Sequence, residues 1–143
     1  RAVTVWSVQP EFGDPPTLEL LREDIRLALS GGLDITGKLQ ARAAAYQRSG
    51  SRTPAPAQFN LAPEASDRAT VVEVRAHDAP GLLHTIATAI SSVSVSIEAA
   101  QVATLGSDVV DVFYLAADGV PLNAEQAALV RSAVLEALAD SDG

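Results

Sequence analysis

The residues able to do chemistry are few. Two histidines, His77 and His84, and no cysteine occur in 143 residues, so thiolate chemistry is excluded and imidazole chemistry nearly so. The dipeptide His77-Asp78 has the composition of a metal-hydrolase pair. Such a centre needs several His and Asp side chains converging from helices, and His77 falls at the end of a strand pattern. Asp108 and Asp111 fail as paired metal carboxylates, because three residues apart on a strand they point to opposite faces. No phosphate-cradling Gly-Lys motif and no serine triad is present. His77 and His84 read most simply as surface residues, and the expectation is of no catalytic residue, no metal and no cofactor in this chain.

A binding loop is the richer possibility. In "VRAHDAPGLLHTIATAI" a Pro-Gly pair separates a strand pattern from a helix pattern. Pro80 forces Ala79 out of helical dihedrals and is itself well tolerated in a first turn, where its missing N–H costs nothing. Gly81, without a Cβ, leaves neighbouring backbone amides open at the positive end of the helix dipole, where a carboxylate can sit. Asp78 could cap the helix or hold an ammonium group. Together these partial charges suit a zwitterion, an amino acid. Spacing alone leaves this beside a plain strand-to-helix turn, which is the commoner use of such residues.

The elements that position the loop follow from periodicity. "QFNLA" places Phe59 and Leu61 on one face, and "RATVVEVRA" places Val72, Val74 and Ala76 inward. Leu82, Ile86, Ile90 and Val93 trace a helix stripe, and "SVSIEAAQVATL" and "SDVVDVFYLAA" form two strands joined at a tight turn around Gly106. Asn123, with Gln126 three residues on, opens a last helix whose buried face is Leu129, Val130, Ala133, Val134, Ala137 and Leu138. The order strand, strand, helix, strand, strand, helix implies an α+β fold, a four-stranded antiparallel sheet with two helices on one face. Val71, Val109, Phe113 and Leu115 are expected on the other face, to be covered by a partner.

Composition bounds the partners. The hydrophobic fraction of 48% is globular, and the net charge of -8 argues against nucleic acid. No run reaches the roughly 18 apolar residues of a membrane span, and no signal pattern opens the chain, so no membrane partner and a cytoplasmic location are expected.

Self-comparison adds an internal repeat. "AVTVWSV" (2 to 8) resembles "VVDVFYL" (109 to 115), and each leads through a Gly-containing turn into a helix, with Leu21, Arg22, Ile25, Ala28 and Leu29 falling on Val130, Arg131, Val134, Ala137 and Leu138. Asp14 and Pro15 are the start signals of the first helix, Gly31-Gly32 its stop. The expected organisation is the C-terminal half of a first repeat in 1–31, a linker, part helical, in 32–56, and a complete domain in 57–143.

"VRAHDAPGLLHTIATAI", followed by "VSIEAAQVATLGSDVVDVFYL", resembles the ACT domain, a small regulatory amino-acid-binding module of ferredoxin-like fold. The tandem arrangement and the extra strand "FNLAPEAS" are similar to the carboxy-terminal ACT pair of the bacterial enzymes that add and remove a nucleotidyl group on PII proteins. The resemblance implies that the strand around Phe59 fills the edge position of a closing strand. It also implies glutamine as effector, sensed in the control of nitrogen assimilation. Its site would be Asp78, Ala79, Pro80, Gly81, Leu82 and Leu83, with Ser96, where such modules often have Asn, facing the loop from the next strand. The implied partners are a neighbouring ACT repeat or second chain through the sheet, a homodimer among them, and PII through nucleotidyltransferase and HD-type hydrolase domains outside these residues, by uridylyl or adenylyl transfer. The rival expectation is an ACT-type interaction or dimerisation module that binds nothing small.

Overall fold

The computed structural model describes residue 5 and residues 13–46, 55–62, 66–105 and 107–141. The repeat strand around "AVTVWSV", apart from Val5, residues 47–54 of the linker, and Gly106 lie outside the described residues. The chain divides into two units, Arg1–Lys38 and Leu39–Gly143.

In the first unit, α1 spans Leu18–Leu29. Its N-cap is Thr17, whose side-chain oxygen accepts the amide of Leu20, rather than the expected start at Asp14-Pro15. Thr17 is the first residue with an acceptor at capping distance after Pro15 and Pro16 have straightened the chain. Gly31, at φ +72°, ends the helix as its sequence suggests. The apolar stripe of Leu18, Leu21, Ile25 and Leu29 is exposed throughout. α2 spans Ile35–Tyr46, within the expected part-helical linker, and its residues from Leu39 on belong to the second unit; Asp34 accepts the amide of Gly37 at its start.

The second unit contains β1 (Gln58–Ala62), β2 (Thr70–His77), α3 (Leu82–Ser92), β3 (Ser96–Leu105), β4 (Asp108–Ala116) and α4 (Ala124–Ser141). The sheet order is β1-β2-β4-β3, every pairing antiparallel. β1 occupies the edge beside β2, the position expected of the strand around Phe59. α3 and α4 pack against one face, and the core gathers Phe59, Val72, Val74, Ile86, Ile90, Phe113, Leu115, Val130, Val134 and Leu138. This is the α+β arrangement expected of the strand and helix order.

The register corrects the expected faces. Val72 stands opposite Phe113, Ala76 opposite Val109 and Thr70 opposite Leu115. Directly opposed residues share a face, so Phe113, Leu115 and Val109 lie on the helix-covered side and not on the open one. Val71, opposite Tyr114, does belong to the open face, with Glu73, Arg75, Val110 and Val112. The expected faces group Val71 with Phe113, one residue out of phase with the observed pairing of Val72 and Phe113, and so put the core set of β4 on the wrong side. Two further positions differ: Leu61 and Leu129 are about half exposed, because β1 is an edge strand and Leu129 sits beside the buried stripe of α4 rather than in it.

α4 opens as its sequence dictates. The Asn123 side chain accepts the amide of Gln126 at 2.9 Å, and the Gln126 side chain accepts the amide of Asn123 at 3.0 Å. Two otherwise orphaned donors are thereby paired in a capping box.

Candidate functional site

β2 ends at His77 and α3 begins at Leu82, so the turn between them is held by the sheet on one side and the core stripe of α3 on the other. The Asp78 amide donates to the Ser107 carbonyl at 2.9 Å, tying the loop to the β3–β4 turn. His77 Nδ1 stands 3.6 Å from the Asp108 carboxylate at the same end of the sheet.

Gly81 is the N-cap of α3, at φ +91° and ψ -2°, with no side-chain hydrogen bond capping the helix. Asp78 therefore does not cap it. A residue with a Cβ is strained at that φ, which is why the chain places glycine there. The Leu82 amide turns back to the Ala79 carbonyl at 3.1 Å, whereas the amides of Leu83 and His84 meet no acceptor among the described residues. Helix-end amides in this state, backed by the dipole of an eleven-residue helix, are donors ready to bind an anion. The side chain of Leu39 lies over Gly81, 3.5 Å from where a Cβ would stand.

The seven sequence-derived site residues do not all come together. Asp78, Ala79, Pro80, Gly81, Leu82 and Leu83 are contiguous at the loop. Ser96 is not there: it pairs with Ala116, whereas His77 pairs with Asp108. Those partners are the two ends of β4, so Ser96 is about 26 Å from the loop end of the sheet at 3.3 Å per residue. The strand after a descending helix begins at the bottom of the sheet, which places its first residue away from the loop that starts the helix. Near Ser96 lies an open groove of about 540 Å³ on the uncovered face, lined among others by Arg68, Glu98, Tyr114 and Pro121.

A further acid stands in the half of the sheet nearer the loop. Asp111 lies opposite Val74 on β2 and Val102 on β3, on the helix-covered face, and is 1% exposed. Burial pushes its carboxyl above the usual carboxylate range, the Ala103 backbone hydrogen bond opposes this, and the charge of Asp78 adds to the rise. Its Oδ1 has no hydrogen-bond partner among the described residues. A signal for it existed in the sequence: an acid in phase with Val109, Phe113 and Leu115 along one strand. Among the described residues no group of three or more His, Asp or Glu gathers as metal ligands would. No helix among them is long and apolar enough to cross a membrane.

Residues 70–129 match the model of the ACT domain, and they comprise β2, α3, β3, β4 and the start of α4. The second unit is thus built on an ACT domain. Over a longer span, the chain is similar to the bifunctional uridylyltransferase/uridylyl-removing enzymes. The enzyme of that name from Streptomyces coelicolor is 42% identical over 93% of the chain, the one from Mycobacterium tuberculosis 35% over 98%, and the one from Gluconobacter oxydans 39% over 78%. The chain spans only 16%, 19% and 12% of the lengths of those three relatives. No solved structure matches the chain significantly.

Proposed function

We propose that this chain is a glutamine-sensing regulatory region of an enzyme that modifies and unmodifies PII, and that it takes no part in the chemistry itself. The observation that carries this reading is the uncapped start of α3, where left-handed Gly81 leaves the Leu83 and His84 amides open to a carboxylate. An amino acid bound there would bias the attached catalytic domains only through a difference in its affinity for their two states. The loop residues 78–83 make the contacts. Ser96, on the far end of its own sheet, reaches such a loop only from a neighbouring repeat or a second copy.

The organisation that goes with this reading is half of a first repeat up to residue 31, a linker, and a complete ACT unit from residue 57. The exposed stripe of α1 supports it, since such a stripe needs a sheet to cover it. Isothermal titration of the chain with L-glutamine, against L-glutamate and D-glutamine, is the test. Saturable heat with L-glutamine alone is expected; absence of heat at millimolar concentration counts against the reading.

One observation favours a second reading, an interaction module with no small ligand. β3 is an edge strand of ten residues whose side chains are nearly all exposed, with no Pro, Lys or Arg to discourage pairing. A chain that dimerises through it and never responds to glutamine would fit that reading.

A further inference from the structure

The strongest unexplained feature of the second unit is the Asp111 carboxylate. Four facts bear on it. It is 1% exposed, so water does not solvate it. One oxygen has no hydrogen-bond partner and no Lys or Arg pairs with the group among the described residues. It lies on the face that α3 covers, in the half of the sheet nearer the loop, three residues along β4 from the Asp108–His77 pair. Asp78, the first residue of the loop, is near enough for its charge to act on it.

A buried carboxylate without a counter-ion is costly, and the cost is relieved when a cation is delivered to it. A metal ion is a poor candidate, because no group of three carboxylates or imidazoles assembles among the described residues. A hydrogen-bonding organic cation suits it better, since a single carboxylate oxygen can accept one N–H of an ammonium group with charge assistance. The free amides of Leu83 and His84 at the start of α3 offer the opposite polarity at the same end of the sheet. The two poles match the two charges of an α-amino acid.

We propose that Asp111 receives the ammonium group of the amino-acid effector while the α3 amides receive its carboxylate. This assigns to Asp111 a binding role that Asp78 shares only through its charge, and it rests on the reading of the loop as an amino-acid site. It also selects ligands: an acid lacking the amino group leaves Asp111 unpaired, whereas a zwitterion satisfies both poles.

The test is titration of the 143-residue chain and of its Asp111→Asn variant with L-glutamine and with 4-carbamoylbutanoate, which is glutamine without its ammonium group. Asn keeps the shape and removes the charge, and Asp111→Ser serves as a second variant, with circular dichroism reporting the fold of each. Binding of L-glutamine at least tenfold weaker in both variants, with the des-amino compound binding all three proteins equally weakly, is the expected result. Equal glutamine affinity in the chain and in Asp111→Asn overturns the role of Asp111 and leaves the glutamine reading standing. If glutamine gives no heat, the twenty amino acids are compared by thermal shift. One that raises the melting temperature of the chain but not of Asp111→Asn keeps the ammonium receptor and rejects glutamine; none doing so overturns both.

Discussion

Replacing Gly81 by alanine isolates the backbone conformation on which the loop depends. At φ +91° and ψ -2° an L residue is strained, while the nearest atoms to the added Cβ, in Leu39, stand at 3.5 Å, an ordinary contact. The loss is therefore conformational and not a clash. A left-handed non-glycine residue costs about 1–2 kcal/mol, and the stiffer unfolded chain returns about 0.4–1 kcal/mol. The net expectation for Gly81→Ala is a loss of about 1 kcal/mol, equivalent to roughly 3–4 °C in melting temperature for a chain of this size. Urea unfolding followed by circular dichroism measures it, with an unchanged slope showing that the unfolded state has not altered. A variant as stable as the parent, or more stable, would refute the reasoning, since alanine would then occupy the turn without strain and glycine would not be needed to start α3 there.

Two other outcomes follow from the same geometry. Asn123→Ala removes one half of the capping box at α4 and should cost about 1 kcal/mol, read in the same urea titration, whereas loss of a freely solvated side chain would cost almost nothing. The pH dependence separates two acids. Burial raises the Asp111 carboxyl, so between the ordinary carboxylate range and that raised value the folded protein holds more protons than the unfolded chain, and stability falls as pH rises through the window. Glu73 behaves oppositely: the hydrogen bond from Arg75 lowers its carboxyl, so its contribution is present above the ordinary range and lost as pH falls through the depressed value. Unfolding from about pH 4 to 8 should show a downward slope from Asp111 that disappears in Asp111→Asn; an unchanged profile in the variant would contradict the burial argument.

The parts of the fold written locally were legible in the residues. Ile86 and Ile90 on one helical stripe, Asn123 with Gln126 at a helix start, and the buried Phe59 on its short strand are each set by neighbours three or four residues away at most. Strand phase was not legible, because it depends on register between segments far apart in sequence. "DVVDVFYLAA" has apolar residues at both parities, and only the pairing of Val72 with Phe113 decides which set is buried. The same gap hid the site's geometry. Pro80-Gly81 announced the loop, yet the distance of Ser96 from it and the presence of Asp111 near it are both consequences of the β1-β2-β4-β3 order. The spacing of Asp111 from Asp108 says only that the two point to opposite faces, whereas its partner across the strand, Val74, is what places it in the core.

Amide chemical shifts of the chain recorded through a titration with L-glutamine test the central claim most directly, because they report the loop itself and not the heat of any event. The account predicts saturable shifts concentrated at Gly81, Leu83 and His84, the start of α3, with Asp111 moving in the same titration and the Ser96 end of the sheet unmoved within one copy. Saturable shifts confined to the groove around Arg68, Glu98 and Tyr114, with the α3 amides silent, would contradict it.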